Sequence, residues 1–122
     1  MDGGYRISGK WRFASGCHHA RWLGAHMPVA GTGKVRTMLF PKSSVQMNDI
    51  WHTIGLRGTA SNEYVLKDLF VPQRFSTSRD NPAERREAGL LYRFSSNQLY
   101  SCGFAGVGLG IARGTIDDFL NL

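Results

Sequence analysis

Phe13 and Ser15 stand two positions apart, an aromatic ring and a hydroxyl at strand spacing. If that segment is extended, both side chains leave one face and can meet the same flat ligand. The bland reading of the pair makes Phe13 core and Ser15 a turn residue. Arg57 lies inside Gly55-Leu56-Arg57-Gly58-Thr59-Ala60-Ser61-Asn62. Its forked guanidinium could hold anionic oxygens, or it could brace its own turn by donating to carbonyls. His18-His19 invites a metal reading, but adjacent residues on a strand point to opposite faces, and no Cys, His or carboxylate set completes a site. No metal is expected. His18, His26 and His52 read as surface or structural residues, and Trp51 as core rather than a stacking platform. Cys17 and Cys102 lack CxxC spacing and are too few for a disulfide scaffold, so both read as small apolar fillers.

The elements that must position these residues are short. A chain of 122 residues has room for one hydrophobic core with an appendage. Six segments are strand candidates: 5–8, 10–14, 20–27, 35–40, 45–55 and 63–71. They alternate or are β-prone, and turn residues such as Gly9, Pro28, Gly31-Thr32-Gly33, Pro41 and Pro72 bound them. Residues 73–88 are polar, contain Pro82 and lack periodicity, which predicts a loop. From about residue 97 to residue 122 the pattern is helical. The expected fold is mainly β with a C-terminal α-helix: a small antiparallel β-barrel or sandwich over 1–75, a polar linker over 76–96, and one long helix over 97–122.

That helix is unusual. Gly103, Gly106, Gly110 and Gly114 share one face, and apolar residues cover most of the rest. Each glycine costs roughly 1 kcal/mol relative to alanine, so close packing on a partner is expected to offset the cost. Self-association through this helix follows as an expectation.

The net charge of +6 permits an anionic partner, but the basic residues are scattered and only Arg85-Arg86 is a doublet. A nucleic-acid stripe clusters its charge on one element, so a small basic binding module is the weaker alternative. The first ten residues hold no apolar run of the signal-peptide kind, and no stretch is long and apolar enough for a membrane span. A soluble, cytoplasmic chain is expected.

Three segments, in order, carry a resemblance. Gly4-Tyr5-Arg6-Ile7-Ser8-Gly9-Lys10-Trp11-Arg12-Phe13-Ala14-Ser15-Gly16-Cys17 resembles the start of the middle β-domain of acyl-CoA dehydrogenases. Gly55 to Asn62 followed by Leu69-Phe70-Val71-Pro72 is similar to a later part of that domain. Gly106-Val107-Gly108-Leu109-Gly110-Ile111-Ala112-Arg113-Gly114 resembles the opening helix of the family's C-terminal bundle. Phe13-Ala14-Ser15 before Gly16-Cys17 looks most like the superfamily's flavin-dependent monooxygenases, the oxygenase components of two-component aromatic hydroxylases.

The resemblance implies FMN or FAD as cofactor, with Phe13, Ala14, Ser15 and Arg57 as binding residues. It places Ser15 beside flavin N5 and C4a, and His19 as a further active-site residue. It implies hydroxylation of an aromatic substrate through a C4a-hydroperoxyflavin, with reduced flavin supplied by a separate reductase. The rival within the family is an acyl-CoA dehydrogenase, whose carboxylate base no residue here matches. The family's N-terminal helical domain and most of its C-terminal bundle have no counterpart in the sequence, so little activity is expected from this chain alone.

Overall fold

The computed structural model describes residues 3–79 and 81–122. Residues 1 and 2 of the expected β-domain and residue 80 of the expected linker lie outside them. The chain divides into two compact units, Met1–Ser78 and Arg79–Leu122.

The first unit is two antiparallel three-stranded sheets. In one, β5 (Asn62–Pro72) lies between β1 (Gly4–Ala14) and β4 (Gln46–Asn48). In the other, β3 (Val35–Pro41) lies between β2 (Trp22–Pro28) and β6 (Ser76–Thr77). The expected antiparallel β-structure with one C-terminal helix is present, and no closed barrel forms among the described residues. Both sheets contribute to one core of Ile7, Cys17, Leu23, Ala25, Met38, Phe40, Tyr64, Leu66 and Val71. Tyr64 ties the layers together, stacking on Trp11 at 5.5 Å and donating its hydroxyl to the Gly24 carbonyl at 2.8 Å. Burial pushes this phenol up to about 12, so it stays a neutral donor in ordinary buffers.

Three strand expectations need correction. Gly9 is no turn: it lies within β1, and a Cβ there would stand 2.5 Å from the Trp11 indole. Glycine at that position serves close packing within a strand. The segment 45–55 shrinks to Gln46–Asn48, since the chain then leaves β5 for a loop. Within 73–88, expected as loop, Ser76–Thr77 pairs with Thr37 and Met38 to edge the second sheet. Cys102 also departs from its expected place as an apolar filler, being exposed, whereas Cys17 is buried.

Two bulges bend the long β1–β5 ladder. The register slips between Ile7 and Gly9, where Asp68 takes a positive φ of 48°, and again between Trp11 and Ala14, where Phe13 takes a φ of 61°. An extra residue in one strand re-aims the side chain it carries. The second of these bulges builds the candidate site.

The second unit holds two short 3-10 turns, Pro82–Glu84 and Leu90–Arg93, and α1, Ser96–Leu120. Ser95 and Gln98 form a reciprocal capping box at its start, a Ser-x-x-Gln signal legible in the sequence. No residue of α1 is buried, and Phe104, Val107, Leu109, Ile111, Ile116, Phe119 and Leu120 are all exposed. No helix among the described residues is long and apolar enough to cross a membrane.

Candidate functional site

Phe13 and Ser15 do not share a strand face, as simple alternation predicts. Along β1, Ile7, Gly9 and Trp11 turn inward. The left-handed backbone at Phe13 then breaks the period, and Trp11 stays against Tyr64 while Phe13 is thrown outward at 72% exposure. A bulky residue at positive φ is rare and strained. Ser15 lies beyond the strand end, in a tight turn where its amide bonds the Phe13 carbonyl at 2.8 Å. Gly16 follows with φ 75°, a conformation open to glycine without strain. Ala14 is half-buried, pairs with Asn62 across the ladder and accepts the Cys17 amide.

A loop between β4 and β5 meets this turn. Thr59 accepts the Gly16 amide at 2.9 Å through its carbonyl, and Cys17 Sγ donates to the Ala60 carbonyl at 3.3 Å. Leu56 and Ala60, at φ 54° and 43°, flank a 3-10 turn of Arg57–Thr59. Three of the four non-glycine residues at positive φ among those described therefore gather here. Such clustering marks segments whose shape the surroundings over-determine.

The sequence reading treats Trp51 as core; it is instead half-buried and meets Phe13 edge-on at 5.9 Å and 77°, its indole N–H held by the Leu56 carbonyl at 2.9 Å. Arg57 is exposed and its guanidinium bonds no partner among the described residues, so it does not brace the turn. Thr59 does so, donating its hydroxyl to Leu56 O at 2.9 Å. Ser15 Oγ lies 2.7 Å from Ser61 Oγ, which lies 2.8 Å from Thr59 Oγ1.

Two residues that carried no role in the sequence reading hold this arrangement. Asn62, buried, accepts the Ile50 and Trp51 amides on Oδ1, each at 3.0 Å, and donates Nδ2 to His18 Nε2 at 3.0 Å. That bond makes Nε2 an acceptor and leaves the His18 proton on Nδ1. Glu63, also buried, accepts from Asn48 Nδ2 at 3.0 Å and Arg12 Nε at 3.0 Å, with Lys10 Nζ 3.4 Å away. The Asn48 bond first, then Arg12 and Lys10, hold its carboxyl below the ordinary 4.5, against the opposing effect of burial. No local signal marks them, because their burial comes from partners distant in sequence, Arg12, His18 and Asn48 among them.

The folded Glu63 carboxyl titrates below its ordinary value. Its contribution to stability is complete above pH 4.5 and is lost as pH falls from there through the lower folded value. Thermal melts of the 122-residue chain should fall away below pH 4.5, and Glu63→Gln should flatten that acid limb. An unchanged limb in the variant would refute the role.

His19 is exposed, and its ring makes no hydrogen bond among the described residues. His26 bonds Thr37 Oγ1 at 2.8 Å through Nδ1, on the other sheet. No group of three or more His, Cys, Asp or Glu among the described residues could hold a metal. A cleft of about 600 Å³ opens between β1 and β2, with Arg6, Lys10 and Trp11 on its wall. Its cations are already engaged, Arg6 with Asp68 at 2.7 Å and Lys10 with Glu63.

Comparison with known proteins gives the ancestry of this arrangement. The chain is 37% identical over 132 aligned residues to the oxygenase component of an FADH(2)-dependent resorcinol hydroxylase from Rhizobium sp., covering 98% of this chain and 32% of that one. It is 43% identical over 76 residues to the HsaA oxygenase subunit of a flavin-dependent monooxygenase from Mycobacterium tuberculosis, covering 60% of this chain and 19% of HsaA. The crystal structure of M. tuberculosis HsaA superposes with a TM-score of 0.61 at 41% identity, over 65% of this chain and 21% of that one. Its homologues are the oxygenase components of flavin-dependent monooxygenases, of the acyl-CoA dehydrogenase-like fold. XiaF from Streptomyces sp., solved with FADH2 and glycerol, adds a TM-score of 0.58 at 35% identity over 64% of this chain and 21% of XiaF. No family model matches the chain. It spans between about a fifth and a third of the length of these oxygenase relatives.

Proposed function

We propose that this chain supplies one wall of a flavin site in a monooxygenase oxygenase component that hydroxylates an aromatic substrate. The observation that carries the proposal is the strained rim itself: an exposed Phe13, an exposed Ser15 whose hydroxyl meets Ser61, and an exposed Arg57 whose guanidinium bonds none of the described residues, on two loops locked to each other. Large exposed aromatics and unpaired guanidinium groups held on over-determined backbone are what a flat anionic cofactor requires. The names of the homologues support the same reading.

In this proposal Phe13 and Ala14 pack against the isoalloxazine edge. Ser15 hydrogen-bonds near N5, and Arg57 meets a carbonyl or phosphate oxygen of FMN or FAD. The flavin supplies the redox and oxygen chemistry when bound, and the chain's part is to orient it and exclude water from one side. His19 stands at the margin of the site. A separate reductase as flavin donor, the division of the chain into a β-domain over 1–75 and a linker over 76–96, and packing of partners on α1 belong to the same proposal. The exposed apolar residues of α1 support the last of these.

NMR titration of the 122-residue chain with oxidised and anaerobically reduced FMN and FAD tests the site. The expected result is weak binding with amide shifts at Phe13, Ser15 and Arg57, lost in Phe13→Ala and Arg57→Ala. Binding should tighten when the flanking helical domains of an oxygenase are supplied. Shifts confined to the cleft lined by Arg6 and Trp11 would overturn the assignment.

A further inference from the structure

We propose that Ser15, Ser61 and Thr59 form a three-hydroxyl relay whose polarity reverses, so that Ser15 can either accept a hydrogen bond from a ligand or donate one to it. The inference rests on the flavin reading of the site and adds the residues that let it serve both redox states.

The three oxygens stand in a row at 2.7 and 2.8 Å, and Thr59 Oγ1 lies 2.9 Å from the Leu56 carbonyl. Each hydroxyl has one proton to donate and lone pairs to accept. In one polarity Thr59 donates to Leu56 O, Ser61 to Thr59 and Ser15 to Ser61. Ser15 then shows only lone pairs outward. In the other, Thr59 donates to Ser61, Ser61 to Ser15, and the Ser15 proton points outward. No proton changes oxygen; each hydroxyl only rotates.

Reversal is cheap because of what else Leu56 O accepts. The Trp51 indole N–H reaches it at 2.9 Å and the Thr59 amide at 3.2 Å. Two donors already match its two lone pairs, so the carbonyl stays satisfied when Thr59 turns away. Ser61 is 4% exposed, and its proton must go to one neighbour or the other. Ser15 Oγ has no further partner among the described residues, so its outward side is the open end of the row.

A flavin changes its demand at N5 with redox state. Oxidised, N5 accepts a hydrogen bond; reduced, N5–H donates one. A fixed donor or a fixed acceptor at Ser15 would serve only one of these states, whereas the relay serves both. Thr59 and Ser61 are positioning residues that act through Ser15.

The variant Thr59→Val removes the far hydroxyl while keeping the shape. Ser61 can then give its proton only to Ser15, which locks Ser15 as a donor. The measurement is the dissociation constant of oxidised and of anaerobically reduced FMN, read from the Phe13–Ser15 amide shifts of the 122-residue chain. Relative to wild type, the affinity for reduced FMN should fall about tenfold, the value of one hydrogen bond, while that for oxidised FMN holds. Thr59→Ser should restore the wild-type ratio. Ser61→Ala, which frees Ser15 to rotate, should leave the ratio near wild type. If Thr59→Val leaves the ratio unchanged, or Ser61→Ala shifts it as far, the relay is refuted and the flavin reading stands. If the wild-type chain shows no response at Phe13 to Ser15 with either form, both fail.

Discussion

Phe40→Ala is expected to destabilise the β-unit by about 3–5 kcal/mol, the cost of emptying a buried phenylalanine site. Phe40 is 1% exposed and meets Tyr64 edge-on at 6.0 Å, within the cluster that joins the two sheets. Its deletion leaves a void whose lining cannot close, because Tyr64 is held in place by the Gly24 carbonyl and by Trp11. A small domain holds roughly 0.05–0.15 kcal/mol of net stability per residue, so this one change removes a large part of the total. Thermal unfolding followed by circular dichroism should show a drop of more than about 12 °C. Leu39→Ala, at the next position and 43% exposed, should cost far less. Equal costs at the two positions would show that the inward and outward faces of β3 are misassigned.

Asn62→Ala is expected to cost about 2–3 kcal/mol and, unlike the core change, to dismantle the site as it does so. One side-chain oxygen holds two successive backbone amides, and the same side chain's nitrogen anchors His18. Alanine leaves the Ile50 and Trp51 amides without an acceptor and frees the loop that presents the Trp51 ring to Phe13. The proposed flavin response at Phe13 and Ser15 should vanish even under conditions where the chain remains folded. Trp51 fluorescence should shift to the red as the ring enters water. Thr53→Ala, which removes an exposed bond in the same loop, should stay within about 0.5 kcal/mol and keep the response. A folded Asn62→Ala chain with wild-type shifts at Phe13 would remove Asn62 from the site.

Much of this molecule was legible in local pattern. Alternation in β2, the prolines that end β2 and β3 and the capping box of α1 all follow rules that operate within a few residues. The glycine stripe and apolar surround of α1 were legible as well, and its apolar side chains stand exposed. The similarity to the oxygenase components of flavin-dependent monooxygenases was also carried by short segments.

The errors share a cause. Trp11 and Phe13 look equivalent to a period of two, yet one packs on Tyr64 and the other faces outward. What separates them is a bulge, fixed by the register of β1 against a strand some fifty residues away in sequence, with Arg12 clamped to Glu63 just before it. Gly9 looks like a turn until the Trp11 ring lies over it. Asn62 and Glu63 look like the polar end of a turn until two loops and two cations converge on them. Local pattern set the longer strands, the C-terminal helix and the segment that carries Phe13 and Ser15. The fold settled which way Phe13 faces, that Ser15 ends a row of hydroxyls, and that the Arg57 guanidinium bonds none of the described residues. Those outcomes depend on pairing between distant segments, which no local period encodes.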